Sequence, residues 1–303
     1  MTSPARNPHP NEPWTVLRIL RWTSGYLAGR GVDSPRLDAE VLLADLLGLT
    51  RVQLYLNFDR PLIQEELAAY RERVKRRARR EPAAYIIGKK EFYSLEFEIG
   101  PGVLVPRPET ELLVDRALEF ARLHYAGDDE ILAADLGTGS GALAVSLAAN
   151  NPAIRVRAVD ISPEVLKIAR RNARRLGVDD RVEFFEGDLL TPLFGQVFHL
   201  IVANLPYVPK PAFADMAPEV RDYEPHLALD GGADGLDLIR RAVAGAPEVL
   251  TGGGALFLEI WPDHGPGVRE LARQNGFAET TIVKDLAGLD RVAILTGLRQ
   301  ASA

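Results

Sequence analysis

Residues 131–148 read ILAADLGTGSGALAVSLA, an apolar run closed by an acid, a turn of alternating glycines, and a second apolar stretch. The first part has the texture of a buried strand and the last that of a helix. Gly137, Gly139 and Gly141 let the backbone turn tightly and approach a ligand without side-chain obstruction. The helix start supplies free amide donors, and Asp135 adds a carboxylate at the same edge. A glycine turn alone is weak evidence, because many turns carry glycine for geometry only. This one also departs from GxGxxG, its third glycine coming two residues after the second.

Similar runs recur downstream: IRVRAVD (154–160), VEFFEGD (182–188), LIVANLP (200–206) and GALFLEIW (254–261), mostly with helical stretches between them. That order predicts an α/β fold built on a doubly wound, mainly parallel sheet. Two last strands, about 279–285 and 291–298 with LAGLD between them, predict an antiparallel hairpin at one edge. Ligands of such sheets sit at the carboxyl ends of the strands. Asp160 ends the second strand, where an acid can accept both hydroxyls of a ribose. Asp188 ends the third and could accept a hydrogen bond from an adenine amino group, with Leu189 packing on the ring. Taken alone, each acid reads more readily as a helix cap or a surface charge than as a ligand contact. At successive strand ends they outline an adenosine site, and the absence of a Walker GxxxxGK[ST] motif leaves no lysine for a triphosphate.

The fourth strand ends in Asn204, Leu205, Pro206 and Tyr207. The Asn204 side-chain oxygen and the Leu205 carbonyl can each accept a hydrogen bond from one substrate NH2. Pro206 pushes Leu205 into an extended conformation and so fixes the direction of that carbonyl. Tyr207 offers a flat face to a planar amide or base. Two acceptors on a planar NH2 favour pyramidal nitrogen and stabilise the positive charge that grows during methyl transfer. The bland alternative is a strand that ends in an ordinary proline turn.

The rest of the chain has a different texture. Residues 14–81 are helical in pattern and residues 82–107 read as a hairpin-like linker around Phe92, Leu95, Phe97 and Ile99; the α/β domain then occupies 108–303, and residues 1–13 are expected to form a disordered tail. In DSPRLDAEVLLADLLG, Ser34 can cap a helix, Pro35 suits its first position, and Leu37, Val41, Ala44 and Leu47 fall on one face until Gly48 stops it. A further helix from about Gln64 to Arg80 ends in RERVKRRARR, either a solvated helix terminus or a docking patch for an acidic or RNA-bearing partner.

Composition narrows the function classes. The chain of 303 residues is 47% hydrophobic and 26% charged, enough for a full core, with no apolar run that could cross a bilayer and no apolar core near its start. A cytoplasmic protein without membrane contact is expected. Cysteine is absent and the five histidines show no metal-binding spacing, so neither disulfides nor a metal centre is expected. A net charge of -6 argues against a surface that holds nucleic acid stably.

In this order DLGTGSG, VDIS, EGD and NLPY resemble class I S-adenosylmethionine-dependent methyltransferases acting on planar amino groups, whose hallmark is an Asn-Pro-Pro-Tyr tetrad. More narrowly, LDAEVLLADLLG, REPAAYIIGKKEFYSLEF, VLVPRPETELLV and YEPHLALDGGADGLDLIRR resemble the bacterial peptide chain release factor glutamine methyltransferases of the HemK/PrmC family. The resemblance covers nearly the whole chain after residue 13. It implies a seven-stranded methyltransferase sheet behind a small all-helical substrate-recognition domain, S-adenosylmethionine as cofactor, and class I release factors as protein substrate. The reaction implied is direct in-line methyl transfer to the side-chain amide nitrogen of the glutamine in a Gly-Gly-Gln motif. Gly137, Thr138 and Gly139 would line the methionine part of the cofactor, with Asp135 and Leu136 beside them. Asp160 would bind the ribose, Asp188 and Leu189 the adenine end, and Asn204, Leu205, Pro206 and Tyr207 the glutamine amide. Asn204, Pro206 and Tyr207 carry the catalytic expectation, and Asn204 also borders the cofactor. Arg107, Glu109 and Glu111 would lie in a loop near the site.

Leu205 replaces the first proline of the tetrad, and NLPY is also the form seen in ribosomal RNA adenine dimethyltransferases. Those enzymes resemble a methyltransferase core followed by a helical domain, whereas here the helical domain comes first, and an acidic chain suits a protein substrate better than bare RNA. A dinucleotide-dependent oxidoreductase is disfavoured by the glycine spacing and the tetrad. A non-catalytic adaptor that keeps cofactor affinity differs from the enzyme only in turnover.

Overall fold

The computed structural model describes residues 12–298, so the tail expected at residues 1–13 lies outside the described residues up to position 11. Contacts divide the chain into two units. The first runs to Gly88 and includes Ala217–Tyr223; the second holds Lys89–Met216 and the chain from Glu224 onward.

The first unit is all helical: α1 (Val16–Ala28), α2 (Pro35–Leu47), α3 (Arg51–Leu56), α4 (Gln64–Ala78) and α5 (Ala83–Ile87). Thr15 caps α1, and Thr50 with Gln53 forms a reciprocal capping box on α3. Val16, Leu27, Leu42, Leu43, Leu54 and Tyr70 are the centre of its core. The Tyr70 hydroxyl is satisfied there by the Ala39 carbonyl at 2.9 Å. Gly48 ends α2 in the left-handed conformation at φ +65°, as a stop signal should.

Two details of α2 differ from expectation. Ser34 makes no side-chain cap hydrogen bond, and the buried face carries Ala39, Glu40, Leu42, Leu43 and Ala44, while Leu37 is 43% exposed. Apolar residues surround most of this helix, so periodicity alone does not choose a face. Contact with α1 and α4 does. The linker expected over residues 82–107 is also divided, since α5 belongs to the helical unit and the hairpin that follows belongs to the second.

The basic run is largely consumed by this unit. Arg73 reaches Asp45 at 2.7 Å, Arg76 reaches Glu81 at 2.8 Å, and Arg80 binds Glu219 at 2.9 Å. Arg77 is 5% exposed and joins Asp38 at 2.6 Å to Glu219 at 2.7 Å. Tyr223 adds a hydrogen bond to the Arg79 carbonyl at 2.7 Å. The cations thus hold Ala217–Tyr223 within the unit.

The second unit opens with an antiparallel hairpin, β1 (Lys89–Phe92) and β2 (Leu95–Glu98), whose turn residues Tyr93 and Ser94 both have positive φ. Helix α6 (Glu111–His124) leads to the main sheet: β3 (Ile131–Leu136), α7 (Ala142–Asn150), β4 (Ile154–Asp160), α8 (Pro163–Arg175), β5 (Val182–Glu186) and β6 (Phe198–Ala203). After the short helix α9 (Pro218–Arg221) of the first unit come α10 (Asp237–Gly245), β7 (Leu250–Glu259), α11 (Gly265–Gln274), β8 (Phe277–Lys284) and β9 (Asp290–Leu298). The seven strands lie in the order β5-β4-β3-β6-β7-β9-β8. All pairs from β5 to β7 are parallel, and β9 pairs antiparallel with both β7 and β8.

Side-chain alternation puts helices on both faces. Leu136, Ile201, Ala203 and Leu258 share a cluster with Ile239 and Val243 of α10 and Val268 of α11. Asp135 points the opposite way, to the start of α7. Strand β7 begins at Leu250, earlier than the expected 254, because a bulge between the Phe198 and Leu200 pairings absorbs the glycines of TGGG.

Arg77→Met removes the buried guanidinium that joins Asp38 to Glu219, leaving Glu219 only Arg80, and is expected to destabilise the protein by about 3 kcal/mol in urea denaturation. Arg71→Ala, on an exposed residue of the same run, should stay within about 0.5 kcal/mol of wild type. Equal effects would refute the division between structural and surface cations.

Candidate active site

Chain order reverses between β3 and β6, and the carboxyl ends of β3, β4, β5 and β6 open into a cavity of about 520 Å³. That size suits a nucleoside-based ligand. One wall is Gly137–Ser140, Asp160, Asp188 and Leu189; the other carries Asn204, Leu205, Pro206 and Thr110.

The glycine loop takes the conformations that its sequence allows, with φ of +69°, +58° and +83° at Gly137, Gly139 and Gly141. Behind it Asp135 is fully buried, and its Oδ2 accepts from the Thr138 hydroxyl at 2.6 Å and the Ala144 amide at 3.1 Å. Burial pushes its carboxyl up to about 7, against the pull of those two donors. Asp135 and Leu136 are not among the cavity walls. Asp135 ties the loop to α7, and Leu136 belongs to the apolar core on the other face. Both therefore shape the site from behind rather than line it.

Asp160 joins two segments of the wall. Its Oδ2 accepts from the Gly139 amide at 2.9 Å and its Oδ1 from the Ser162 amide at 3.0 Å. Burial raises its carboxyl while these amides oppose the shift. A carboxylate has acceptor capacity beyond these two bonds, and Asp160 lines the cavity. Asp188 is half exposed and pairs with Arg241 at 2.6 Å, a cation from α10 that also lines the cavity. Leu189 follows with φ +50°.

Asn204 immediately follows β6, and its Nδ2 donates to the Thr110 hydroxyl at 3.2 Å. Leu205 is 3% exposed, and a Cβ added at Gly137 would lie 3.2 Å from its Cδ2. The leucine thus packs beneath the glycine loop, which gives the departure from proline a structural use. Pro206 lines the cavity, whereas Tyr207 does not. The Tyr207 hydroxyl donates to Glu259 Oε1 at 2.7 Å, and burial with the Glu259 charge raises its pKa. The expected flat face toward the ligand is therefore replaced by an anchor beside it.

Thr110, Glu224 and Glu259 escaped the sequence reading. Thr110 sits between Glu109 and Glu111, which drew attention as charges, and Glu259 is a lone acid inside the apolar run of β7. Glu224 is buried, accepts from the Val105 amide at 3.1 Å and pairs with Arg107. Glu111 accepts from the Tyr93 amide at 2.8 Å. In DGGADG the glycines are steric necessities, since a Cβ at Gly235 would lie 2.4 Å from the Tyr207 carbonyl oxygen.

Strand order and cavity together define an S-adenosylmethionine-dependent methyltransferase, in agreement with a family model described as "Methyltransferase domain" that matches residues 133–223. A second, described as "PrmC N-terminal domain", matches residues 18–88. The release factor glutamine methyltransferase of Geobacter sulfurreducens is 47% identical over 281 residues, covering 93% of this chain and 96% of its own. That of Rhodopirellula baltica is 40% identical over 282 residues, covering 92% and 95%. The chain belongs to the release factor glutamine methyltransferase family. Among solved structures, the hMettl16 catalytic domain in complex with a MAT2A 3′UTR hairpin shares the fold, with a TM-score of 0.54 at 13% identity over 79% of this chain and 84% of that one.

Gly235→Ala should displace the Tyr207 carbonyl and cut methyl transfer about 100-fold in a folded protein, as a small misplacement of a reacting group does. Retained activity with an unchanged circular dichroism spectrum would contradict that contact. Because the Asp135 carboxyl titrates near 7 when folded and near 4 when unfolded, the folded state holds an extra proton between these values. Its stability therefore falls as pH rises through that window. The stability of Asp135→Asn relative to wild type should accordingly rise from pH 5 to 7.5 in denaturant titrations, and a constant difference would refute the buried acid.

Proposed function

We propose that this chain methylates the side-chain amide nitrogen of the glutamine in the Gly-Gly-Gln motif of class I peptide chain release factors. The observation that carries the reading is Asn204, whose Nδ2 is engaged by Thr110 in the cavity that the glycine loop also lines, so that its oxygen remains to accept from a substrate NH2. Full-length likeness to release factor glutamine methyltransferases across both units supports the choice of substrate.

The residues present fit the cofactor. Gly137–Gly139 admit close backbone approach, Asp160 keeps lone pairs for a ribose, and Asp188 and Leu189 stand at the adenine end. When bound, S-adenosylmethionine supplies a methyl group on a positively charged sulfur. Asn204 Oδ1 and the Leu205 carbonyl hold the two amide hydrogens, and Pro206 keeps that carbonyl extended. The two acceptors orient the nitrogen and stabilise positive charge on it. No strong base is needed, because the alkylated nitrogen is acidic enough to release its proton to water. Tyr207 anchors the end of the tetrad through Glu259.

The reading carries with it a cytoplasmic enzyme whose helical unit recognises the substrate and which holds no nucleic acid stably, in keeping with a net charge of -6. No described helix is long and apolar enough to cross a membrane.

The test is transfer of labelled methyl from S-adenosylmethionine to release factor, to its Gly-Gly-Ala variant and to ribosomal RNA. Label is expected only in the wild-type factor; label in RNA would favour an adenine methyltransferase instead. Asn204→Ala should lower turnover at least about 100-fold with cofactor affinity largely intact. Asp160→Ala should weaken cofactor binding about 10-fold or more in calorimetry, as loss of hydrogen bonds to a charged group does. Unchanged affinity there would refute the ribose role.

A further inference from the structure

We propose that Asn172 is a positioning residue for cofactor binding, because its side-chain amide fastens the Ser140 carbonyl of the glycine loop to the backbone of Glu98 at the end of the β1–β2 hairpin. The role concerns the cofactor and is independent of which amino group receives the methyl. Asn172 belongs to α8, is fully buried and is not among the cavity walls. Its Oδ1 accepts from the Glu98 amide at 2.7 Å, and its Nδ2 donates to the Glu98 carbonyl at 3.1 Å and to the Ser140 carbonyl at 2.9 Å.

The three bonds demand an asparagine. One backbone N–H requires an acceptor and two carbonyls require donors, and a single primary amide carries that set. The fixed polarity of the backbone groups also settles which end of the amide faces which partner. Aspartate would keep the acceptor and lose both donors, and alanine would lose all three bonds.

The glycine loop depends on such ties. Gly139 and Gly141 flank Ser140 with positive φ, and the freedom that glycine gives a loop must be lost before its backbone fits a ligand. Asp160 holds the loop at the Gly139 amide, and Asp135 holds it at the Thr138 hydroxyl. Helix α8 supplies the third hold. One turn before Asn172, Ala169 packs so closely that a Cβ added at Gly141 would lie 3.3 Å from its own. Ser140 is 2% exposed and lines the cavity. Beyond Glu98 the chain passes through buried Ile99 to Gly102, Val103 and Leu104, which line the cavity too. One amide therefore spaces the glycine loop from the wall that follows the hairpin. Arg171 and Arg175 also bind the hairpin to α8, through Glu98 at 2.6 Å and Glu96 at 3.2 Å. Those pairs are exposed and fasten the hairpin without the loop.

The experiment titrates S-adenosylmethionine into wild type, Asn172→Asp, Asn172→Ala and Arg171→Ala by calorimetry, which separates the affinity of the sites from their number. Both Asn172 variants should bind at least about 10-fold more weakly, as loss of buried hydrogen bonds that preorganise a site does. Arg171→Ala, which removes an exposed tether, should stay within about twofold of wild type. A merely structural role would lower the number of sites titrated and leave their affinity unchanged. That result, or an Arg171 variant as weak as the Asn172 variants, would overturn the proposal. In wild type, saturating cofactor should slow hydrogen exchange of the Glu98 amide more than that of amides in β8, at the far edge of the sheet. Equal slowing in the two places would overturn the link between loop and hairpin. Should neither Asn172 variant fold, this comparison decides.

Discussion

Parallel pairing of β3 with β6 is the constraint from which the site follows. Its register sets Asp135 beside Val202 and Leu136 beside Ala203, so the next residues on the two strands are Gly137 and Asn204. The glycine loop and the tetrad are therefore neighbours as a consequence of backbone hydrogen bonding, before any side chain is considered. Leu205 fills the space between them, and Gly137 has no side chain to compete for it. A one-residue slip would turn every side chain of β6 to the other face. With Leu200 and Val202 exchanging places with Ile201 and Ala203, the apolar clusters on both sides of the sheet would be lost together with the site.

Buried acids do most of the holding around that junction. Asp135 ties the loop to α7, Asp160 ties it to the start of α8, Glu224 binds the segment around Val105 and Arg107, and Glu259 anchors Tyr207. Burying a carboxylate is unfavourable unless donors replace water. Here the donors are backbone amides, hydroxyls and guanidinium groups, so loops that make few apolar contacts acquire fixed positions. The raised pKa values of Asp135, Asp160 and Glu259 are the other side of the same arrangement, since desolvation exceeds what the donors return.

The sheet was readable because its strands are short apolar runs closed by acids, and the residues at their ends face the cavity for topological reasons. Asp160, Asp188, Leu189 and Asn204 all line it, as the strand-end argument requires. The inner supports were not readable. Thr110, Glu224 and Glu259 reach the site from segments far apart in sequence, and no local period marks them. The same holds for the buried face of α2, where apolar residues on most sides left the choice to its neighbours α1 and α4. The basic run is the inverse case. Charge that a pattern assigns to solvent is spent on the nearby Glu81 and on Asp38, Asp45 and Glu219, three partners that only the folded chain brings near.

This division between readable contacts and unreadable supports has a chemical reason. Groups that touch a ligand must stand where the backbone opens, and in a doubly wound sheet those places are set by strand order. Groups that orient them need only be close in space and of the right polarity. An amide such as Asn204 makes the difference plain, because its identity can be read from the chain while its direction cannot. Direction requires a partner that the folded chain holds in place, and for Asn204 that partner is the Thr110 hydroxyl, which accepts from Nδ2 at 3.2 Å. Thr110 lies 94 positions earlier in the chain, so no local period announces the pairing.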